Sequence, residues 1–460
     1  MSNLLALLSQ ASSSLGAHQT AVATAGHNLQ NAGVAGYTRQ RATLAAVVPA
    51  QLLGNHWVGR GVLVQAIGRV RDSFLESQIP QALAGEAHAR AETEALQAVR
   101  ALDPALPGGL SDALSGFYGA LRGLADRPSD PILRRVAVDA ADSLAASFRT
   151  AAASLEAARA GLDARLAAGL APIEAAAAQL ADLNRQIRQA NAAGGTPNDL
   201  LDARQRLQDE LVAATGATPI LDAGGDVHLV LPGGKALVSG ATAARLSVEP
   251  DPANGGLLRV LVHPHGGGTP VVAGALGGTL GGSLAARDGA LAQAGAAIDR
   301  LAFDLAGALN AVHAGGSGTD GSTGRELFVV GTDVDGAAAR LTLDPAIATN
   351  PALLATAAVG GAAGDGANLL ALIATERSAD PVGTLGSITA AFGAATARAA
   401  SAAAHEAALL DHLGTMRESV SGVSVDEELI ELSRAQRAYE AVGKVIQTTD
   451  EMLDTLMQLK

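Results

Sequence analysis

Cysteine is absent from all 460 residues, which removes disulfides, thiolate chemistry and sulfur-ligated metals together. Aromatic residues are scarce: at 2% of the chain, with a single Trp, they cannot wall a deep ligand pocket. The core must therefore be aliphatic, with Ala-rich helices packed closely. Clustered Lys or Arg is missing too, and the formal net charge is −13. Without a basic stripe, nucleic acid and anionic lipid have no counter-charge to select. No HExxH, Walker A or GxSxG pattern occurs. These omissions point away from an enzyme, a nucleic-acid binder and a membrane protein, and they imply no metal and no cofactor.

A further absence is local. From Leu4 to Leu29 there is no Asp, Glu, Lys or Arg, and the first positively charged side chain is Arg39. The Leu4 to Leu8 cluster is too short for a membrane span or a standard secretory signal. What this stretch has is a heptad: Leu8, Leu15, Val22 and Leu29 recur every seven residues, with Leu4, Ala11, His18 and Ala25 four positions before each. The other end mirrors it. Val425, Leu432, Tyr439, Ile446 and Leu453 repeat every seven residues, with Ala435, Val442, Thr449 and Leu456 interleaved. Each seam is about 30 residues, or about 45 Å of helix, so the simplest mutual burial pairs the first helix with the last.

Between the ends the text changes character twice. Asn31, Gly33 and Gly36 stop the opening helix. Alternating Val62 and Val64 predict a strand that leads into a helix near Asp72, with a kink expected at Pro80. From Ser111 to about Asn191 the pattern is helical, capped at Ser129 or Asp130 with Pro131 in the first position, and bent or divided at Gly161 and Pro172. Beyond Gly216, short alternating runs separated by "PGG", "DPANGG" and "HGGG" read as a small antiparallel β domain. Helical periodicity resumes near Gly281, gives way to probable-strand patterns at "ELFVV" and "ARLTLD", and returns from Leu369. At this length several domains are expected. The predicted fold class is multidomain and mainly α with a small inserted antiparallel β domain, the N- and C-terminal helices pairing as a coiled coil. The boundaries are 1–42 and 423–460 for the split terminal domain, 43–215 and 281–422 for the helical domain, and 216–280 for the β insert.

Individual polar residues give little chemistry. His263 and His265 lie in a Pro- and Gly-rich loop; Asp333 and Asp335 have calcium-loop spacing without the closing Glu. Glu427 and Glu428 fall in the first turn of the last helix, where they favour its dipole after a Ser424 cap. His18 and His27 read as half-buried neutral histidines, and Tyr439 as a core knob. Asp222, Asp226, Glu249 and Asp251 in the β insert read as turn residues rather than a paired acid and base.

With both ends read, the sequence resembles the bacterial flagellar axial proteins and, within them, the hook-associated protein 1 family. "HNLQNAGVAGYTRQ" is similar to the N-terminal motif of rod, hook and hook-associated proteins through Asn28, Asn31, Gly36, Tyr37, Thr38, Arg39 and Gln40; Ala35 stands where that family usually has Pro. "GRGVLVQAIGRVRDSFLESQ", "LADRPSDPILRRVAV" with "NDLLDARQRLQDEL", and the ending "SGVSVDEELIELSRAQRAYEAVGKVIQTTDEMLDTLMQL" carry the rest. The resemblance implies a non-enzymatic subunit joining hook to filament and needed for filament assembly. Export would be by the flagellar type III apparatus, and the mature location extracellular. Implied partners are further copies of itself in a ring, hook protein, hook-associated protein 3 and an export chaperone, with no nucleic acid and no membrane. The assembly interface implied is Leu8, Leu15, Val22, Asn28, Leu29, Asn31, Gly36, Tyr37, Arg39, Val425, Leu432, Tyr439, Val442, Ile446, Leu453 and Leu456. Another axial protein, hook or distal rod, and a secreted protein with a glycan-binding insert are the competing readings.

Overall fold

A computed structural model describes residues 2–34, 36–48, 52–53, 56–57, 59–103 and 107–458. Helix α1 (Ser2–Asn31) is followed by strand β1 (Gln40–Ala46), the two-residue strands β2 (Leu52–Leu53) and β3 (His56–Trp57), and β4 (Val62–Arg69). β1 and β4 pair antiparallel from Gln40–Arg69 to Ala46–Val62, a two-stranded hairpin arm. Four helices follow: α2 (Ser73–Gln97), α3 (Leu110–Ala125), α4 (Pro131–Ala192) and α5 (Asn198–Thr215). Asp72 and Asp130 cap α2 and α4, each accepting from two backbone amides, and Pro131 opens α4. Gly216, at a left-handed φ of 69°, ends α5.

Neither α2 nor α4 is divided at its internal proline or glycine. α2 runs through Pro80, and α4 runs unbroken for 62 residues through Gly161 and Pro172. An interior proline costs about 3 kcal/mol, but Leu170, Ile173, Ala176 and Ala177 around Pro172 are all buried, and that packing outweighs it. α4 contains a window apolar enough to cross a membrane by composition, with mean hydropathy 1.2. Its buried residues nonetheless pack against other helices and sheets, while Arg135, Asp139 and Asp142 lie exposed.

Residues 218–272 hold two small antiparallel sheets. One has the order β5 (Thr218–Leu221), β6 (Val227–Val230), β7 (Ala236–Ser239), β8 (Thr242–Ala243); the other joins β9 (Arg245–Pro250), β10 (Leu258–His263) and β11 (Val271–Val272). Both pack on the C-terminal half of α4, whose Leu166, Ile173 and Leu180 share a core with Leu229, Leu237, Val260 and Val262. Asn184 of α4 fixes the sheet edge: its Nδ2 donates to Val227 O and Gly240 O at 2.8 Å, and its Oδ1 accepts from Val227 N and Arg204.

The chain then returns to helix with α6 (Gly278–Ala285), a π-turn at Ala286–Ala290 and α7 (Leu291–Ala314). Short pieces follow: β12 (Gly316–Ser317), β13 (Phe328–Val329), α8 (Ala337–Arg340), β14 (Thr342–Leu343), α9 (Pro345–Thr349) and β15 (Ala357–Ala358). Only two residues of each of the expected strands "ELFVV" and "ARLTLD" pair with one another, because Ala337–Arg340 turns into helix against α4 and α7. α10 (Ala367–Ser378), α11 (Pro381–Ser421) and α12 (Val425–Gln458) complete the chain. The larger core joins α3, the first half of α4, α7, α10 and α11 through Phe117, Leu121, Phe148, Ile298, Leu305 and Leu372.

His313, fully buried in this body, faces the Arg325 carbonyl through Nδ1 at 2.7 Å and accepts from Ala355 N through Nε2 at 2.9 Å. That pattern requires a neutral ring donating from Nδ1. Burial pushes its pKa below the ordinary 6.5, outweighing the Arg325 carbonyl bond, which acts to raise it. The stability this contributes is therefore complete above about pH 6.5 and is lost as pH falls through the lower folded value. Thermal melts are expected to show the midpoint of the body falling below pH 6.5, with a shallower fall in His313→Gln.

Candidate assembly site

α12 packs along α1, and the last turn of α1 meets the first turn of α12, so the two run antiparallel. The buried stripe of α1 consists of small and polar residues: Ala11, Ser14, Ala17, Thr24, Ala25 and Asn28. Leu8, Leu15, Val22 and Leu29 flank it half-buried, as Leu432, Val442, Ile446 and Leu453 do on α12. Small residues let the helix axes approach, and the larger aliphatics close over the sides. Tyr439, expected as a core knob, is 39% exposed, and Val425 and Leu456 are also exposed.

At the root of this pair, four segments converge on Asn28, which is 1% exposed. Its Nδ2 donates to Gln40 O at 2.8 Å and to Glu428 Oε2 at 2.9 Å; its Oδ1 accepts from Gln40 N at 3.0 Å and from the Tyr37 hydroxyl at 2.7 Å. Arg39 donates through Nε to Glu428 Oε1 at 2.6 Å and through Nη1 to Glu427 Oε2 at 2.8 Å, while its backbone N–H donates to Ser421 O. Burial alone would lower the Arg39 guanidinium, but the bonds to Glu428 and Glu427 outweigh it and raise the pKa. Glu428 lies in the first turn of α12 as expected, but it is 3% exposed and also ties residues 400 positions apart.

The N-terminus of α5 supplies the floor. Asp202 accepts from Thr38 N at 3.2 Å and from Arg69 Nη1 at 2.9 Å; Asn198 donates to Gln40 Oε1 and to Ile67 O; Asp199 accepts from Gln40 Nε2 at 3.1 Å. Burial, reinforced by Asp199, Asp202 and Glu428, raises the Tyr37 hydroxyl far above its usual range and keeps it a proton donor. Burial, with Arg69 beside it, pushes Arg71 down to about 10. His27 closes the ring with Nδ1 3.0 Å from Tyr37 Oη. Asn31 donates to His27 O within the helix, and Gly36, at φ 76°, lies beneath the Arg206 side chain. Ala35 falls outside the described residues.

The hairpin arm grips α1 farther along. Val62 N donates to Ser14 Oγ at 3.3 Å, and Gly61, at φ 84°, leaves no room for a side chain: a Cβ would lie 2.6 Å from Ser14 Oγ and 3.2 Å from Gln10 O. Gly61→Val combines backbone strain with that clash, roughly 2–4 kcal/mol. Hydrogen exchange should quicken in β1, β4 and α1 while α4 keeps its protection.

Of the residues singled out from sequence, the structure gathers Asn28, Tyr37 and Arg39 at one point and leaves Asn31 and Gly36 at its edge. Glu428, Gln40, Asp202 and Asn198 complete the cluster; all four stand in the quoted motifs, but their long-range partners are not visible in them. The other candidates prove to be locally engaged. His263 Nε2 lies 2.7 Å from Ser247 Oγ, and Arg340 donates to Asp333 O. Asp222 pairs with His228, Asp226 with Arg188, and Glu249 and Asp251 with Arg259.

The sequence model described as the flagellar hook-associated protein FlgK helical domain matches residues 104–328, and that described as the flagellar basal body rod FlgEFG protein C-terminal matches residues 417–459. Flagellar hook-associated protein 1 of Salmonella typhimurium is 32% identical over 332 residues, 71% of this chain. The chain belongs to the flagellar hook-associated protein 1 family. The Salmonella alignment spans 60% of that protein's length. The family member of Escherichia coli is 26% identical, with 99% of this chain and 100% of that protein aligned. That alignment covers 545 positions against 460 residues here, so the Escherichia coli hook-associated protein 1 carries segments this chain lacks. In Bacillus subtilis the hook-associated protein 1 is 25% identical over 98% of this chain and 97% of its own. Among solved structures, the flagellar hook junction protein FlgK of Burkholderia pseudomallei is similar with a TM-score of 0.51 and 26% identity, covering 55% of this chain and 47% of that one.

Proposed function

We propose that this chain is a structural, non-enzymatic subunit of the bacterial flagellum, seated at the hook-filament junction and needed for filament assembly. Its ends zip into a coiled coil that only the polymer completes. The observation that carries this reading is the buried Asn28–Arg39–Glu428 junction, which fastens the two termini to each other and to the body. A second feature supports it: Leu5 of α1 and Leu429, Ile430, Val445, Met452 and Met457 of α12 are exposed, and an apolar face of this extent suits burial against neighbouring subunits. The same face is the surface an export chaperone would cover before secretion through the type III apparatus.

On this reading residues 1–42 and 423–460 form the axial part. Residues 43–215 and 281–422 form an outer helical body, and 216–280 a surface module. Ring partners are further copies of the chain, with hook protein on one side and hook-associated protein 3 on the other. The alternative of a hook or distal-rod protein is disfavoured by the match of residues 104–328 to the helical-domain family. Deleting the gene tests the function: hooks should persist, filament subunits should leak into the medium, and filaments should be missing. Ile446→Asp tests the seam. It should leave the body folded by circular dichroism yet abolish incorporation into flagella, and normal incorporation would refute the pairing.

A further inference from the structure

Asn254 is the one asparagine in the sequence followed by glycine. It ends the 3-10 turn Pro252–Asn254 in the loop between β9 and β10, and Gly255 and Gly256 follow it at φ 62° and 83°. Both glycines are exposed, and no atom beyond the chain neighbours lies within 4 Å of where a Gly255 Cβ would stand, so the turn is open to solvent on that side.

The loop is also a tether. Asn254 Nδ2 donates to Asp288 Oδ1 at 2.8 Å, and Asp288 is gripped by Arg287 through both carboxylate oxygens. Arg287, 3% exposed in the π-turn between α6 and α7, reaches on to Asp163 of α4 and to Leu258 O of β10, while Leu258 N donates to Asp163 Oδ2 at 2.9 Å. The loop end of the β9–β10 hairpin is thus held to the helices through Asn254 in the loop and Leu258 at the start of β10. Burial alone would raise the Asp288 carboxyl, but the Arg287 and Asn254 bonds outweigh it and hold it below the usual carboxylate range.

We propose that Asn254–Gly255 is a self-modifying site whose slow conversion releases the hairpin tip from Asp288. The Gly255 amide, losing its proton to solvent base, attacks Asn254 Cγ. A Gly255 N–Cγ bond forms, the Cγ–Nδ2 bond breaks, and Nδ2 takes a proton from water and leaves as ammonia. Water then opens the cyclic imide at either carbonyl, giving aspartate or isoaspartate. Neither product can donate to Asp288: a carboxylate replaces the amide beside an ionised carboxylate, and isoaspartate also lengthens the backbone of the turn. The reaction needs only water and hydroxide. Its rate follows the openings of the loop, so it marks how long a molecule has existed.

The test incubates the full chain at pH 8 and at pH 6 and maps its peptides by mass. A gain of about one dalton is expected at residue 254 before any other asparagine, split into two chromatographic products and faster at pH 8. Asn254→Gln, which cannot close the five-membered ring, should abolish that gain. Asn254→Asp should speed amide exchange across β9 and β10 by roughly ten-fold relative to fresh wild-type protein. Conversion elsewhere while Asn254 stays intact, or a rate independent of pH, would overturn the modification. Unchanged exchange in Asn254→Asp would overturn the tether.

Discussion

Asn28→Ala is expected to unfasten the terminal helices from the body while the middle of the chain stays folded. The substitution leaves the Gln40 N–H, the Gln40 carbonyl, the Tyr37 hydroxyl and one oxygen of Glu428 without the partner each has now. A buried polar group stripped of its bond costs about 1–3 kcal/mol. Water entering the widened site recovers part of this, so a net loss of about 3–5 kcal/mol is expected for the junction. The terminal pair has little with which to absorb such a loss, because Glu428 and Thr449 are the only buried residues of α12 among those described. Hydrogen exchange should therefore show α1 and α12 losing protection together, with α4 unchanged, and incorporation into flagella should fail. Asn28→Asp separates the two roles of the side chain. It keeps an acceptor for Gln40 N and Tyr37, but it faces Glu428 with a second carboxylate, and it should be at least as damaging. If α1 and α12 exchange as in wild type in both variants, the junction does not hold the termini.

Much of this arrangement was legible from local chemistry. Asp72 and Asp130 before apolar periodicity, with Pro131 behind the second, mark helix starts wherever they occur, and alternation with glycine-rich turns marks the strands of residues 218–272. The heptads of α1 and α12 located the two helices that pack together. Leu8, Leu15, Val22 and Leu29 are the conspicuous apolar residues and are half-buried, whereas the fully buried apolar residues of α1 are Ala11, Ala17 and Ala25, which the spacing of large side chains does not single out. Pro172 and Gly161 are breakers by propensity, and the two cores built on the first and second halves of α4 override them. Glu428 could not be distinguished from Glu427 in the sequence. Both favour a helix start, and only the return of the chain after 400 residues decides which one meets Asn28. Glu249 and Arg259 were hidden in the same way, being directly opposite across β9 and β10 but ten positions apart in sequence.

The second large effect is expected in the body, at Arg134→Met. Arg134 is 2% exposed, and burial lowers its pKa, an effect Asp320 opposes only in part. Its bonds run to carbonyl and hydroxyl oxygens: Nε to Pro128 O at 2.7 Å, Nη1 to Leu354 O at 2.8 Å and Pro351 O at 3.2 Å, and Nη2 to Thr356 Oγ1. The guanidinium is therefore stabilised by convergent dipoles that belong to the turn before α4 and to the 351–356 segment, and it pins that segment to the helix. Methionine fills much of the volume but donates nothing, so the Pro128, Pro351, Ala352 and Leu354 carbonyls and the Thr356 hydroxyl lose a charged donor at once, about 3–5 kcal/mol. Lysine would restore little, since one ammonium cannot reach oxygens spread around a planar fork. Loss of the segment carries a further consequence, because Ala355 within it donates to His313 and accepts from Asn368. Once Ala355 N withdraws, the neutral His313 ring loses the donor that rewards its lone pair, and water gains access to it. Arg134→Met should thus lower the melting temperature of the body at pH 7.5 and also flatten the decline that wild type shows below pH 6.5. A variant destabilised equally at both pH values but retaining the wild-type slope would mean that Arg134 and His313 act independently.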